Sequence, residues 1–121
     1  MLLIDAANVV GSRPTGWWRD RAGAARGLTA RVREAAAAGM LPGPVVLVLE
    51  GQAKQGVAEG IADGVEVVHA PGQGDDTLAA LAAAGGDEVV LVSADRGLAD
   101  RVRRTGADVV GPSWLLDRLP S

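Results

Sequence analysis

Five acidic residues of this chain stand where a carboxylate either does chemistry or needs a reason to be. Asp5 ends the apolar run Leu2–Asp5, Glu50 ends Val45–Glu50, and Asp95 lies just past Glu88–Ser93. Asp75 and Asp76 open an alanine-rich segment that leads into the last of these runs. Carboxylates a few ångströms apart repel and raise one another's pKa, so a bare cluster is unfavourable. A divalent cation removes that penalty, activates a water and stabilises charge on a phosphoryl oxygen; two cations can clamp both the attacking and the leaving oxygen. There is no Cys and only one His, His69, which excludes disulfides, thiolate sites and multi-histidine zinc sites. A bound ion is therefore expected to be hard and oxygen-ligated, Mg²⁺ or Mn²⁺. No Ser-His-Asp, Cys-His or P-loop arrangement is present to support covalent or NTPase chemistry.

The elements that must position these acids can be read from the pattern. Leu2–Asp5, Val45–Glu50, Val65–His69, Glu88–Ser93 and Asp108–Val110 are predicted strands. Their continuous apolar character fits strands buried on both faces. Helices are predicted over Arg21–Ala38, about Asp76–Ala84 and about Arg96–Arg104, ended by Gly39, Gly85-Gly86 and Gly106. Pro42-Gly43-Pro44 makes the turn into the second strand. A fourth helix is expected after Ser113 as N-cap, holding Leu115, Leu116 and Leu119, and a weak one around Val57–Ala62 inside the glycine-broken stretch 51–64. Alternating strands and helices imply an α/β fold, a three-layer α/β/α sandwich around a parallel sheet of about five strands. With order 3-2-1-4-5, strands two, one and four are neighbours, and Glu50, Asp5 and Asp95 face one crevice outside the carboxyl ends of the sheet, where such folds bind ligands.

The chain of 121 residues, 48% of them hydrophobic, is sized for a single domain, 1–121, with an aliphatic core: it has three Trp and no Phe or Tyr. Met1–Ile4 has no basic leader, and the longest apolar run, Leu78–Ala84, is far below a membrane span; a soluble, cytoplasmic protein is expected. The net charge of −3 argues at first against a nucleic-acid partner. Setting the five proposed site acids aside leaves ten acids against twelve Lys and Arg, so the distribution of charge matters more than the total.

At these residues the sequence resembles the PIN-like nucleases, in particular their NYN and YacP-like branch. Leu3-Ile4-Asp5-Ala6-Ala7-Asn8-Val9-Val10 is similar to the family's strand-one motif, an Asp followed three residues later by Asn. Gly74-Asp75-Asp76-Thr77-Leu78 is similar to its acidic helix start. Val92-Ser93-Ala94-Asp95-Arg96 resembles its strand-four motif, and Gly106-Ala107-Asp108-Val109-Val110-Gly111 its closing strand. The resemblance spans nearly the whole chain in the right order. It implies metal binding by Asp5, by Asp75 or Asp76, and by Asp95, with Asn8 orienting Asp5 or a metal-bound water and Ser93 supporting the same site; Ser93 is also a candidate substrate contact. Relatives often carry Asp where this chain has Glu50, which reaches farther. The implied activity is metal-assisted hydrolysis of RNA phosphodiesters, with Arg96 offsetting charge or positioning substrate.

Each of these residues also has a simpler reading. Asp5, Asp75 and Asp95 fit helix caps, Asp76 a favourable first-turn charge, and Glu50 a solvated strand end. His69 reads as a strand-end residue and Asp100 as the partner of helix-surface arginines. The stretch 11–20 follows the first strand with Trp17, Trp18, Arg13, Arg19 and, just beyond, Arg21. Rings stack bases and Arg contacts phosphate, but a Trp pair can equally cover the core or form a homodimer contact. Two other functions stay open: a nucleotide or small phosphate-ester hydrolase, and a non-catalytic RNA- or protein-binding module. A phosphoacceptor receiver-like domain would need an Asp after strand three, where this chain has His69.

Overall fold

The computed structural model describes residues 1–120. The chain runs β1 (Leu2–Asp5), α1 (Ala6–Gly11), a 3₁₀ turn (Trp17–Arg19), α2 (Arg21–Ala37), β2 (Val45–Leu49), a 3₁₀ segment (Gly51–Gln55), β3 (Gly60–Ala62), β4 (Val65–His69), α3 (Gly74–Gly85), a 3₁₀ turn (Gly86–Glu88), β5 (Val90–Val92), α4 (Arg96–Arg103), β6 (Asp108–Val110) and α5 (Pro112–Leu116). The strands form one sheet in the order β3-β4-β2-β1-β5-β6. All neighbours are parallel except β3 and β4.

Side-chain alternation along the strands divides the core into two layers. Leu2, Ile4, Val45, Leu47 and Leu49 point to one face, where α2 packs with Leu28 and Val32 and α5 with Leu115. Leu3, Val46, Val48 and Leu91 point to the other, where α3 contributes Leu78 and Ala82 and α4 Leu98 and Val102. Leu2, Leu3, Ile4, Leu47 and Leu49 are wholly buried, which is why these strands read as unbroken apolar runs. The result is the expected three-layer sandwich, and the five expected strands keep the order 3-2-1-4-5.

Three expectations are corrected. The weak helix around Val57–Ala62 is replaced by the 3₁₀ segment Gly51–Gln55 and by a sixth strand, β3. This strand returns antiparallel onto β4 through the two-residue loop Asp63-Gly64, in register Ala62 to Val65. Both loop residues have positive φ, 54° and 77°, the geometry of the hairpin turn that Asp-Gly favours. Secondly, residues 6–11, for which no helix is predicted above, form the short helix α1. Thirdly, α5 is not capped by Ser113: it starts two residues earlier, with Pro112 in the first turn and Gly111 as N-cap. Proline suits that position because its missing N–H has no helical acceptor there anyway.

Candidate active site

With β1 flanked by β2 and β5, the carboxyl ends of three strands meet, and hydrogen bonds join the segments just beyond them. Asp5 is both the last residue of β1 and the N-cap of α1: its Oδ1 accepts from the Asn8 N–H at 3.3 Å. Its Oδ2 accepts from the Ser93 hydroxyl at 2.9 Å. Ser93 Oγ in turn accepts from the Asp95 N–H at 3.1 Å. Asp95 caps α4 through Oδ1, which takes the Leu98 N–H at 3.0 Å. The Asn8 side chain closes the circuit, its Oδ1 accepting from the Ala94 N–H at 2.7 Å. On the other flank Glu50 Oε2 accepts from the Gly74 N–H at 2.8 Å, which ties the end of β2 to the start of α3. Capping and function are thus not rival readings of Asp5 and Asp95. A cap needs one carboxylate oxygen and fixes the rotamer.

The electrostatics place these acids around one space. Burial pushes the Asp5 carboxyl up from 3.8 to about 6; the Ser93 and Asn8 hydrogen bonds pull it down, and Glu50 and Asp75 push it up further. Asp5 is only 5% exposed. Asp75 is also raised, by burial first and then by Asp95 and Glu50, with Arg101 opposing. Asp5 and Asp75 therefore each feel Glu50 across the crevice, and Asp75 feels Asp95 as well.

The remaining expected residues fall elsewhere. Asp76 points away: its carboxylate meets Arg101 of α4 at 3.0 Å and is 92% exposed. Of the two acids at the start of α3, Asp75 is the one turned to the crevice, and Asp76 is corrected to a helix–helix ion pair. Neither caps α3, whose N-cap is Gln73. Ser93, expected to touch substrate, is buried with its hydroxyl committed to Asp5 and the Asp95 N–H; it positions rather than contacts. Arg13 lines a separate groove between α1 and α2, with Leu28, Arg31 and Leu116. Arg19 lies over the Trp18 ring, 5.8 Å from its centroid, and does not line the groove that adjoins the acids. Arg96 lines a polar groove beside Ser93 at the ends of β5 and β6, together with Arg103. His69 bonds the Val57 carbonyl through Nε2 at 2.7 Å, the structural role expected of it. Trp114 packs against the core and carries the Arg118 guanidinium 3.9 Å from its ring centroid.

Sequence reasoning missed a second groove. It adjoins the acids at Glu50, has a volume of about 480 Å³, and is lined by Ala6, Ala7, Trp17, Arg21, Lys54 and Gln73 among others. Arg21 belongs to the Trp-Arg stretch already singled out. Lys54 gave no signal, because only the 3₁₀ segment after Glu50 brings it there.

The donor set suits a hard cation: four carboxylates and no nitrogen or sulfur ligand. Among the described residues, no three His, Asp or Glu side chains are arranged to grip one ion directly. Asp5 and Asp75 are raised by burial first and by neighbouring carboxylates after it, and a positive charge in the crevice would relieve both.

No protein-family profile matches the chain, and no curated protein is similar to it in sequence. Among solved structures, the crystal structure of Rae1 (YacP) from Bacillus subtilis superimposes with a TM-score of 0.71 at 18% identity, over 96% of this chain and 72% of that one. The neighbour carries the name of the very branch that the motifs around Asp5, Asp75 and Asp95 resemble. Motif order and backbone agree, and this chain has a three-layer α/β/α fold like that of the YacP structure.

Proposed function

We propose that this protein is a metal-dependent ribonuclease that hydrolyses RNA phosphodiesters at the crevice between Asp5, Glu50, Asp75 and Asp95. The observation that carries the reading is the desolvated, repelled Asp5 at the centre of a carboxylate group on the binding edge of the sheet. A structural cap gains nothing from being buried beside three other acids. A cation site does. The PIN-like fold supports the same reading.

Asp5, Asp75 and Asp95 would hold the ion, Mg²⁺ or Mn²⁺, one or two of them directly and the rest through its waters, with Glu50 adding its charge from β2. Once bound, the ion supplies Lewis acidity to the phosphoryl group and lowers the pKa of a coordinated water. The protein's own part is orientation. Ser93 fixes the Asp5 carboxylate by donating to Oδ2, and Asn8 locks the loop after β1 to the loop after β5 through the Ala94 N–H. Arg96 and Arg103 on one side, and Arg21 and Lys54 on the other, set positive charge where the flanking phosphates of a strand would lie.

The test is cleavage of labelled single-stranded and hairpin RNA in Mn²⁺ or Mg²⁺, beside EDTA and Asp95→Asn. Asn caps a helix as well as Asp does, so the variant keeps α4 and alters the carboxylate alone. Metal-dependent cleavage lost in the folded variant is the expected result. No cleavage by folded wild-type protein would sink the nuclease reading. The net charge of −3 favours one second reading, hydrolysis of a free nucleotide or small phosphate ester, which needs less positive surface than a polymer. Turnover of nucleotides without cleavage of RNA would establish it.

A further inference from the structure

We propose that the groove beside Glu50 is a subsite for one nucleobase of an RNA strand, adjacent to the phosphate that the carboxylates address. The proposal rests on the ribonuclease reading of that crevice and adds what holds the neighbouring nucleoside.

Several features of the groove select this occupant. Its volume of about 480 Å³ lies within the range of roughly 300–1,000 Å³ typical of small-ligand sites, enough for a nucleoside. Its walls are largely the small apolar faces of Ala6, Ala7 and Ala53, and one side is the Trp17 ring. That ring is held in place: Trp18 meets it edge-on with centroids 6.1 Å apart, and the Arg21 guanidinium lies 5.5 Å from its centroid. Aromatic rings and guanidinium planes are the two side-chain surfaces on which unpaired bases stack. Arg21 and Lys54 give the groove positive charge that complements a phosphate backbone. Lys54 Nζ commits one hydrogen bond to the Ala70 carbonyl, at 2.9 Å, and an ammonium has two more to donate. Gln73 lines the groove, and although it is the N-cap residue of α3 its side chain makes no capping hydrogen bond, so its amide can read a base edge.

Continuity gives the groove its place in the reaction. Glu50 lines it and also faces Asp5 and Asp75 across the crevice. Beyond the acids, the polar groove with Arg96 and Arg103 begins at Ser93. A strand laid across the carboxyl ends of β2, β1 and β5 therefore meets a stacking surface, then the carboxylates, then two arginines.

The experiment measures binding by fluorescence anisotropy of a 5′-labelled RNA hexamer in Ca²⁺ at low salt, with its integrity checked on a gel. One abasic site is walked through its positions. For the wild type, one abasic position is expected to weaken binding about tenfold, within the range of base–aromatic stacking, and the others little. Trp17→Ala should weaken the intact hexamer by a similar factor and erase the dependence on the abasic position; Trp17→Phe should restore most of it. Ala7→Leu fills the groove from an exposed position of α1 without removing a packed group, and should give the same loss. The proposal is overturned if all abasic hexamers bind alike, if Ala7→Leu and Trp17→Ala bind as the wild type does, or if a nucleoside monophosphate binds as tightly as the hexamer. Cleavage of the same hexamers in Mn²⁺ separates the two claims. Base-dependent binding without cleavage refutes the nuclease reading alone, and cleavage with base-independent binding refutes the subsite alone.

Discussion

Replacing Asp5 by Asn should stabilise this protein at neutral pH while abolishing the proposed RNA cleavage. In the folded state the Asp5 carboxyl is raised from 3.8 to about 6. Below the lower value it is protonated in both folded and unfolded chains and imposes no penalty. Between the two values the folded state holds a proton that the unfolded state has released, so stability falls as pH rises. Above the upper value the penalty is fully developed. At 1.36 kcal/mol per pH unit, it is roughly 3 kcal/mol. Asn removes the charge and keeps the cap, since its Oδ1 still accepts from Asn8 N–H. Its amide must repartner with Ser93 Oγ, which now donates to Asp5, and this exchange offsets some of the gain. A net stabilisation of about 1–3 kcal/mol is expected at pH 8 without divalent ions, a rise in Tm of several degrees for a domain of this size. The difference between variant and wild type should shrink towards zero by pH 4. Thermal or urea denaturation of both proteins from pH 4 to 8, in EDTA, measures it. A variant no more stable than wild type at pH 8, or a difference that does not change with pH, would refute the argument that Asp5 is a desolvated charge.

Three other outcomes are expected. Millimolar Mg²⁺ or Mn²⁺ should raise the wild-type Tm at pH 8 through binding to the folded state, and Asp5→Asn should lose most of that rise; equal shifts in both would place the ion elsewhere. Asp75→Asn should lower the cleavage rate at least a hundredfold. Asp76→Asn should leave it within about twofold and change stability by no more than about 1 kcal/mol, because the lost Arg101 pair is exposed; the reverse pattern would show that α3 presents the other acid. Gly56→Ala should destabilise the fold by roughly 1–3 kcal/mol, since the new Cβ would fall on the Ala22 carbonyl of α2 and overpacking costs about that much. It should also weaken RNA binding, because the same contact holds the Lys54 segment against Arg21; unchanged stability in urea would refute the close approach.

What could be read from the sequence was whatever depends on local order along the chain. Apolar runs that end in Asp5, Glu50 or shortly before Asp95 reveal both strands and site, since strand ends in a parallel sheet lie on one edge by topology. Asp75 and Asp76 could not be told apart, because the difference lies in α4, whose Arg101 draws one of them outward. Helix α1 escaped notice since Ala6–Gly11 holds two valines and an asparagine, poor helix formers; its stability comes from the Asp5 cap and the burial of Ala6 and Val9. The β3–β4 hairpin did have a signal, Asp63-Gly64, lost among the glycines of a stretch read as one weak helix. The groove with Lys54 had none. It is assembled from α1, α2 and three loops, and no spacing in the chain encodes their meeting.

The dual use of Asp5 and Asp95 explains how so small a fold can hold its carboxylates in place. The site sits where strands hand over to helices, so each acid can be fixed by the first N–H groups of the helix that comes after it. Capping takes Oδ1 in both cases. Among the described residues, no side chain binds Oδ2 of Asp95, whose cap uses Oδ1, and Oδ2 of Asp5 receives only the Ser93 hydroxyl, which can rotate. Rigidity therefore comes from bonds that cap helices rather than from a dedicated scaffold, and β1, α1, β5 and α4 serve both fold and site. Capping does not, however, compensate the repulsion among Asp5, Glu50 and Asp75. The fold leaves Asp5 raised to about 6 instead of placing an arginine beside it, and Arg101, the cation that does act on Asp75, is bound to Asp76. A protein arginine inside the crevice would neutralise the acids permanently. Leaving them unpaired would keep the charge available to the proposed, exchangeable ion, and makes the loss of stability at Asp5 a measurable counterpart of the proposed activity.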